Sequence, residues 1–177
     1  MMLGGYINYE GARWVARMGA AQMTTILFLL LSIVSFSLPY TESVRPLFII
    51  IPIYYWGIYR PSLIPAVLVF VLGLIVDFIS GFPVGLHAAL FVVVHVIMRS
   101  QRLFLMGQPY LMFWLGFTVI STGVYMAQWF FFSLRYLSLM PVTDILASNL
   151  LTILMFPLMA LVLTFIQRIL PPNLKSY

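Results

Sequence analysis

Cysteine is absent from all 177 residues, so no disulfide framework, thiolate chemistry or cysteine-ligated metal centre is available to this chain. Acid is nearly absent as well, with only 4 Asp and Glu residues. An intramembrane aspartyl protease needs two carboxylates within the apolar segments, and Asp77 has no companion there. Charge of either sign is scarce, at 7% of residues against 63% hydrophobic, and the mean hydropathy is +1.09. Soluble domains carry about 25% charged residues, so water is not the solvent for most of this surface. No linker, low-complexity tract or inverted repeat divides the chain, and the longest loop, at 134–145, leaves no room for a soluble catalytic domain.

What remains is hydrocarbon-length runs. Crossing a core of about 30 Å takes about 20 helical residues. Runs at 20–38, 62–79, 84–98, 110–133 and 146–169 meet or approach that requirement. A shorter one at 46–59 carries Pro52 at its middle and is expected to kink or to borrow flanking residues. The expected fold is therefore an all-α membrane protein, a six-transmembrane-helix bundle. Residues 1–19 form a cytoplasmic tail or interfacial helix, 20–170 the single membrane domain, and 171–177 a cytoplasmic tail. Arg13 and Arg17, with Trp14 and Met18, have the spacing of a short surface helix; a basic tail is the alternative. A signal-peptide reading, with Ser35-Phe36-Ser37 as the cleavage pattern, would leave five crossings and undo the charge asymmetry.

That asymmetry sets orientation. With both termini inside, Arg13, Arg17, Arg60, Arg99, Arg102, Arg168 and Lys175 fall on the inner side and only Arg45 and Arg135 on the outer. Tyr54, Tyr55, Trp56 and Tyr59 then fall at the inner end of the second segment as an interfacial belt, with Trp129 near the outer end of the fifth. The net charge of +5 sits beside membrane ends rather than in a patch interleaved with aromatics, which argues against nucleic acid as a partner.

Asp77 is the acid within an apolar segment and closes the third one. A helix C-terminus disfavours an anion, so a compensating group is required: His87, or the free N–H groups opening the fourth segment around Gly85 and Leu86. Either a clasp across the turn or a ligand or partner contact answers that need. Gly81, Pro83 and Gly85 fit a tight reversal between antiparallel helices. Ala66, Gly73, Asp77 and Ser80 share one helical face that another helix can approach closely, and Gly123 and Ala127 offer the same on the fifth segment. On the sixth, Thr143 and Asp144 read as N-cap and first-turn acid, Pro157 as a kink, and Asn149 and Thr152 as polar glue or pocket lining. His87 and His95 lie eight residues apart, too far to share one ion unaided, so no metal or other cofactor is expected. Ser80 with His87 lacks the third group and the glycine pattern of a nucleophile turn, so no catalytic residue is assigned.

The order of residues carries more than their composition. Arg45-Pro46, Tyr55-Trp56, Arg60-Pro61, Pro65-Ala66 and then Gly73-Leu74-x-x-Asp77-x-x-Ser80-Gly81-x-x-x-Gly85-Leu86-x-Ala88 resemble the MreD family of rod shape-determining proteins. The similarity runs over about residues 45–90; beyond it, hydrophobicity and spacing compare, and Val84 stands where family members often have leucine. The resemblance implies a non-enzymatic, multi-pass component of the bacterial inner membrane within the cell-elongation machinery, or elongasome. Its implied partners are MreC, the actin-like filament MreB, the glycosyltransferase–transpeptidase pair of peptidoglycan synthesis, and membrane lipid. The family is also distantly similar to substrate-binding subunits of energy-coupling-factor vitamin transporters. That second likeness implies a compact six-helix bundle with an outward pocket near Asp77 and Asn149, and a small-molecule-binding transporter subunit as the rival function. A third class, handling of lipid or of lipid-linked precursors, calls for a lateral opening beside a basic residue, which no basic residue in the sequence marks.

Overall fold

The computed structural model describes Gly19 and residues 22–33, 44–136 and 142–169. These contain six helices and no β-strand: α1 (Gln22–Ile33), α2 (Ile50–Tyr59), α3 (Ala66–Ser80), α4 (Leu86–Met106), α5 (Tyr110–Tyr136) and α6 (Val142–Ile169). By length and composition, α4, α5 and α6 are each long and apolar enough to cross a membrane. The expected surface helix around Trp14, the cleavage pattern at Ser35-Phe36-Ser37 and the tail 171–177 lie outside the described residues.

Helix boundaries follow the backbone chemistry of each junction. Pro65 stands as the extended residue before α3, so the helix starts at Ala66 rather than at 62. Gly81, with φ 71°, closes α3 in the left-handed region, and Gly85, with φ 101°, precedes α4. α4 continues to Met106, beyond the expected end at 98, because no breaker intervenes before Gly107. Arg99 and Arg102 are accordingly helical residues rather than loop residues, Arg99 exposed and Arg102 half-buried. α6 begins at Val142, which puts Thr143 inside the helix instead of at its cap and leaves Asp144 in the first turn, where an anion is favoured.

The short second segment is the centre of the protein. Every residue from Ile50 to Ile58 is buried, with α4, α5 and α6 packed around it. A helix apolar on all sides belongs inside, and this one is. Pro52 sits in its first turn, where the missing N–H costs nothing, so the expected mid-segment kink is replaced by a late helix start. Tyr54, Tyr55 and Trp56 are core residues and not an interfacial belt, because other helices surround α2 where they project. Tyr54 is wedged among Phe113, Phe117 and Phe156, the last two stacked with ring centroids 4.1 Å apart. Its hydroxyl donates to the Phe113 carbonyl at 2.9 Å, over Gly116. At the same end Tyr55 donates to Gln167 and meets Thr164 of α6.

α3 and α4 form the tightest pair. A Cβ built on Gly73 would lie 2.4 Å from Cα and 2.5 Å from N of Ala88, so only glycine permits the crossing. Opposite it, α4 packs on α2 with Gly57 beneath Met98 and His95. The outer faces of α3 to α6 carry exposed Val, Leu, Ile, Met and Phe, the surface a lipid-embedded bundle presents.

Candidate functional site

The α3–α4 turn is held by one carboxylate. Asp77 Oδ2 accepts the Gly85 N–H at 2.8 Å, and Oδ1 accepts the His87 N–H at 2.9 Å. His87 Nδ1 lies 2.7 Å from the same Oδ1, placed to donate to it. Asp77 and His87 are both 0% exposed. The acid at the unfavourable end of α3 is thus the side-chain cap of α4, whose orphan N–H groups and positive pole receive it. The other edge of the His87 ring faces Gln128 of α5, and Phe82 packs against both His87 and Phe132. Gly73 and Asp77 therefore face α4 together, whereas Ala66 is exposed at the start of α3 and Ser80 is half-buried at its end. Pro83 and Gly85 reach the surface beside α5, and Gly81 is exposed at the turn.

A second polar site escaped the sequence. Residues 44–49 run non-helically into α2 and are buried, apart from Arg45, so their backbone groups require internal partners. Hydroxyls from three helices supply them at alternate residues. The Arg45 N–H donates to Ser148 Oγ at 3.1 Å, and Ser148 donates to the Asp144 carbonyl at 2.7 Å. The Leu47 N–H donates to the Tyr125 hydroxyl at 2.8 Å. Thr152 donates to the Ser148 carbonyl at 2.8 Å, which leaves its Oγ1 placed to accept from the Tyr125 hydroxyl at 2.9 Å. The Ile49 N–H donates to Ser32 Oγ at 2.8 Å, and Ser32 donates to the Phe28 carbonyl at 2.9 Å. Each hydroxyl relay thus ends on a helix carbonyl four residues back, while Pro46 has no N–H to satisfy.

The two candidate pocket residues are drawn into this interior. Thr152 is a link in the relay, and Asn149 accepts from Ser121 at 2.7 Å and donates to Thr122 Oγ1 at 3.0 Å, joining α6 to α5. Neither residue lines either of two surface cavities, one of about 550 Å³ between α4 and α5 and one of about 510 Å³ along α6 by Arg168. Pro157 has a further consequence on the sixth helix. Lacking an N–H, it leaves the Ile153 carbonyl free, and the Trp114 indole donates to that oxygen at 3.2 Å. His95 sits against Gly57 near the middle of the bundle, away from His87, and among the described residues no three metal-ligating side chains gather.

Polar side chains gathered inward, apolar faces turned outward and three helices of spanning length define a membrane protein built as a helical bundle. The chain belongs to the MreD family: residues 16–166 match the family model described as rod shape-determining protein MreD. It is thereby a cell-shape membrane protein of the rod-shape system. No curated protein and no solved structure matches the chain.

Proposed function

We propose that this protein crosses the bacterial inner membrane six times with both ends cytoplasmic and serves as a non-enzymatic scaffold of the cell-elongation machinery. In this reading it binds the transmembrane or juxtamembrane part of MreC and through it helps control peptidoglycan synthesis, near MreB and the glycosyltransferase–transpeptidase pair. The family membership supports the setting. The observation that carries the scaffold role is where the polar chemistry goes: Asp77, His87, Asn149 and Thr152 are all engaged by partners inside the protein. What is left for a neighbour is shaped apolar helix surface, which suits helix-on-helix docking. Binding a vitamin-like solute, as the likeness to energy-coupling-factor subunits would have it, requires polar groups open to receive one; Asp77, Asn149 and Thr152 are already paired, and the His87 ring is sealed inside against Asp77.

Co-purification of the detergent-solubilised full chain with MreC tests the proposal. A stoichiometric complex in mild detergent is expected. Clean failure in several detergents, or a stoichiometric small metabolite seen by native mass spectrometry, would contradict it.

A further inference from the structure

The cavity of about 550 Å³ between α4 and α5 is a lateral groove at the end of the bundle where the α3–α4 turn lies. Leu86, Ala89 and Leu90 form one wall, and Phe131, Leu134 and Arg135 the other. The guanidinium of Arg135 is the charged group of an otherwise hydrocarbon-lined site, and no acidic side chain among the described residues lies within ion-pair distance of it. It occupies the last turn of α5, where a long helix leaves the apolar zone. The nearby start of α4 offers an anion little, because Asp77 already takes the N–H groups of Gly85 and His87. Recognition of a negative group in this groove therefore rests on Arg135. The walls, Leu86 to Leu90 and Phe131 to Arg135, are only about one helical turn tall, ~6 Å at 1.5 Å per residue. A spanning partner helix would use a far longer stripe, whereas a lipid head with its first methylenes matches both the height and the chemistry.

We propose that this groove holds an anionic phospholipid, its phosphate on Arg135 and the upper part of one acyl chain against Leu86, Leu90, Phe131 and Leu134. Guanidinium pairs with phosphate through two parallel hydrogen bonds, and the apolar walls exclude water from one side of that pair. The fold thus brings a basic residue to a lateral opening that the linear sequence did not mark.

The test is native mass spectrometry of the purified full chain, titrated with phosphatidylglycerol and, separately, with zwitterionic phosphatidylcholine. One equivalent of phosphatidylglycerol should bind about fivefold more tightly than phosphatidylcholine, the advantage of a single interfacial basic residue. Arg135→Gln should abolish that selectivity, Arg135→Lys should keep part of it, and Ala89→Trp, which fills the groove, should weaken both lipids. Ala89 and Arg135 are exposed, so folding should survive, and a circular dichroism melt of each variant checks this. Equal binding of the two lipids by the parent protein would overturn the proposal. So would selectivity that persists in Arg135→Gln, or that is lost on Arg168→Gln, at the other cavity, instead.

Discussion

Tyr125 of α5 receives the Leu47 backbone N–H at 2.8 Å, across a part of the bundle where no water and no helical turn can satisfy that amide. The contact explains how a short central segment is tolerated in an apolar protein. Where the chain cannot be helical, hydroxyls from α1, α5 and α6 take the place of the helical ladder.

Tyr125→Phe removes the hydroxyl and strands both the Leu47 amide and the Thr152 proton acceptor. Leaving such groups unsatisfied costs about 1–3 kcal/mol, so the variant should unfold at clearly lower denaturant in an SDS titration of the detergent-solubilised protein. Ser32→Ala should act the same way through Ile49. Unchanged unfolding of both variants would show that the relays contribute nothing.

Gly73→Ala places a methyl 2.4 Å from Ala88 Cα, against backbone that has no room to yield. Overpacking of this kind costs about 1–3 kcal/mol or more and should sharply lower the folded yield in membranes. Gly123→Ala provides the contrast, since a Cβ there meets nothing within 4 Å. It should be neutral or slightly stabilising, because alanine is the better helix former.

Asp77→Ala deprives α4 of its cap and His87 of its partner, and the loss of a capping side chain costs about 0.5–2 kcal/mol before the stranded imidazole is counted. Asp77→Asn keeps an oxygen acceptor and should fall between the parent and Asp77→Ala in thermal stability. If Asp77→Asn cells keep a normal shape and both variants melt like the parent, the clasp has no structural role.

Trp114 and Pro157 form a testable couple through the Ile153 carbonyl. Trp114→Phe should cost stability in the parent but distinctly less in a Pro157→Ala background, where the new N–H of residue 157 can take over the carbonyl. A double-mutant cycle should therefore give an interaction energy of about 0.5–1 kcal/mol, and strict additivity would contradict the assignment.

Long apolar helices were legible from the sequence because spanning length and hydropathy decide them locally: α5 and α6 lie where the runs at 110–133 and 146–169 placed them. The partnership of Asp77 with the start of α4 was also readable, since an acid at a helix end needs donors and the next helix begins only a tight turn away. The depth of α2 was not legible. Its aromatics have the composition of an interfacial belt, and only the three-dimensional surroundings place Tyr54, Tyr55 and Trp56 in the core. Nor were the hydroxyl relays, because Ser32, Tyr125 and Ser148 lie on separate helices with no sequence pattern linking them. One local signal did exist: a segment too short to span, opened by Pro46, must bring in non-helical backbone that other residues have to satisfy. Arg135 read only as one of two outer charges, with Arg45, until the fold set it at the mouth of a groove between two helices.

The absence of cysteine makes the central claim, alternate crossing of the bilayer by these helices, directly measurable. Val84, 63% exposed in the α3–α4 turn, and Gly107, in the α4–α5 turn, can each be replaced by a single cysteine and probed in intact cells with a membrane-impermeant maleimide. Labelling of Val84→Cys from outside, with Gly107→Cys labelled only after permeabilisation, is the predicted result; equal labelling of both sites from one side would contradict it.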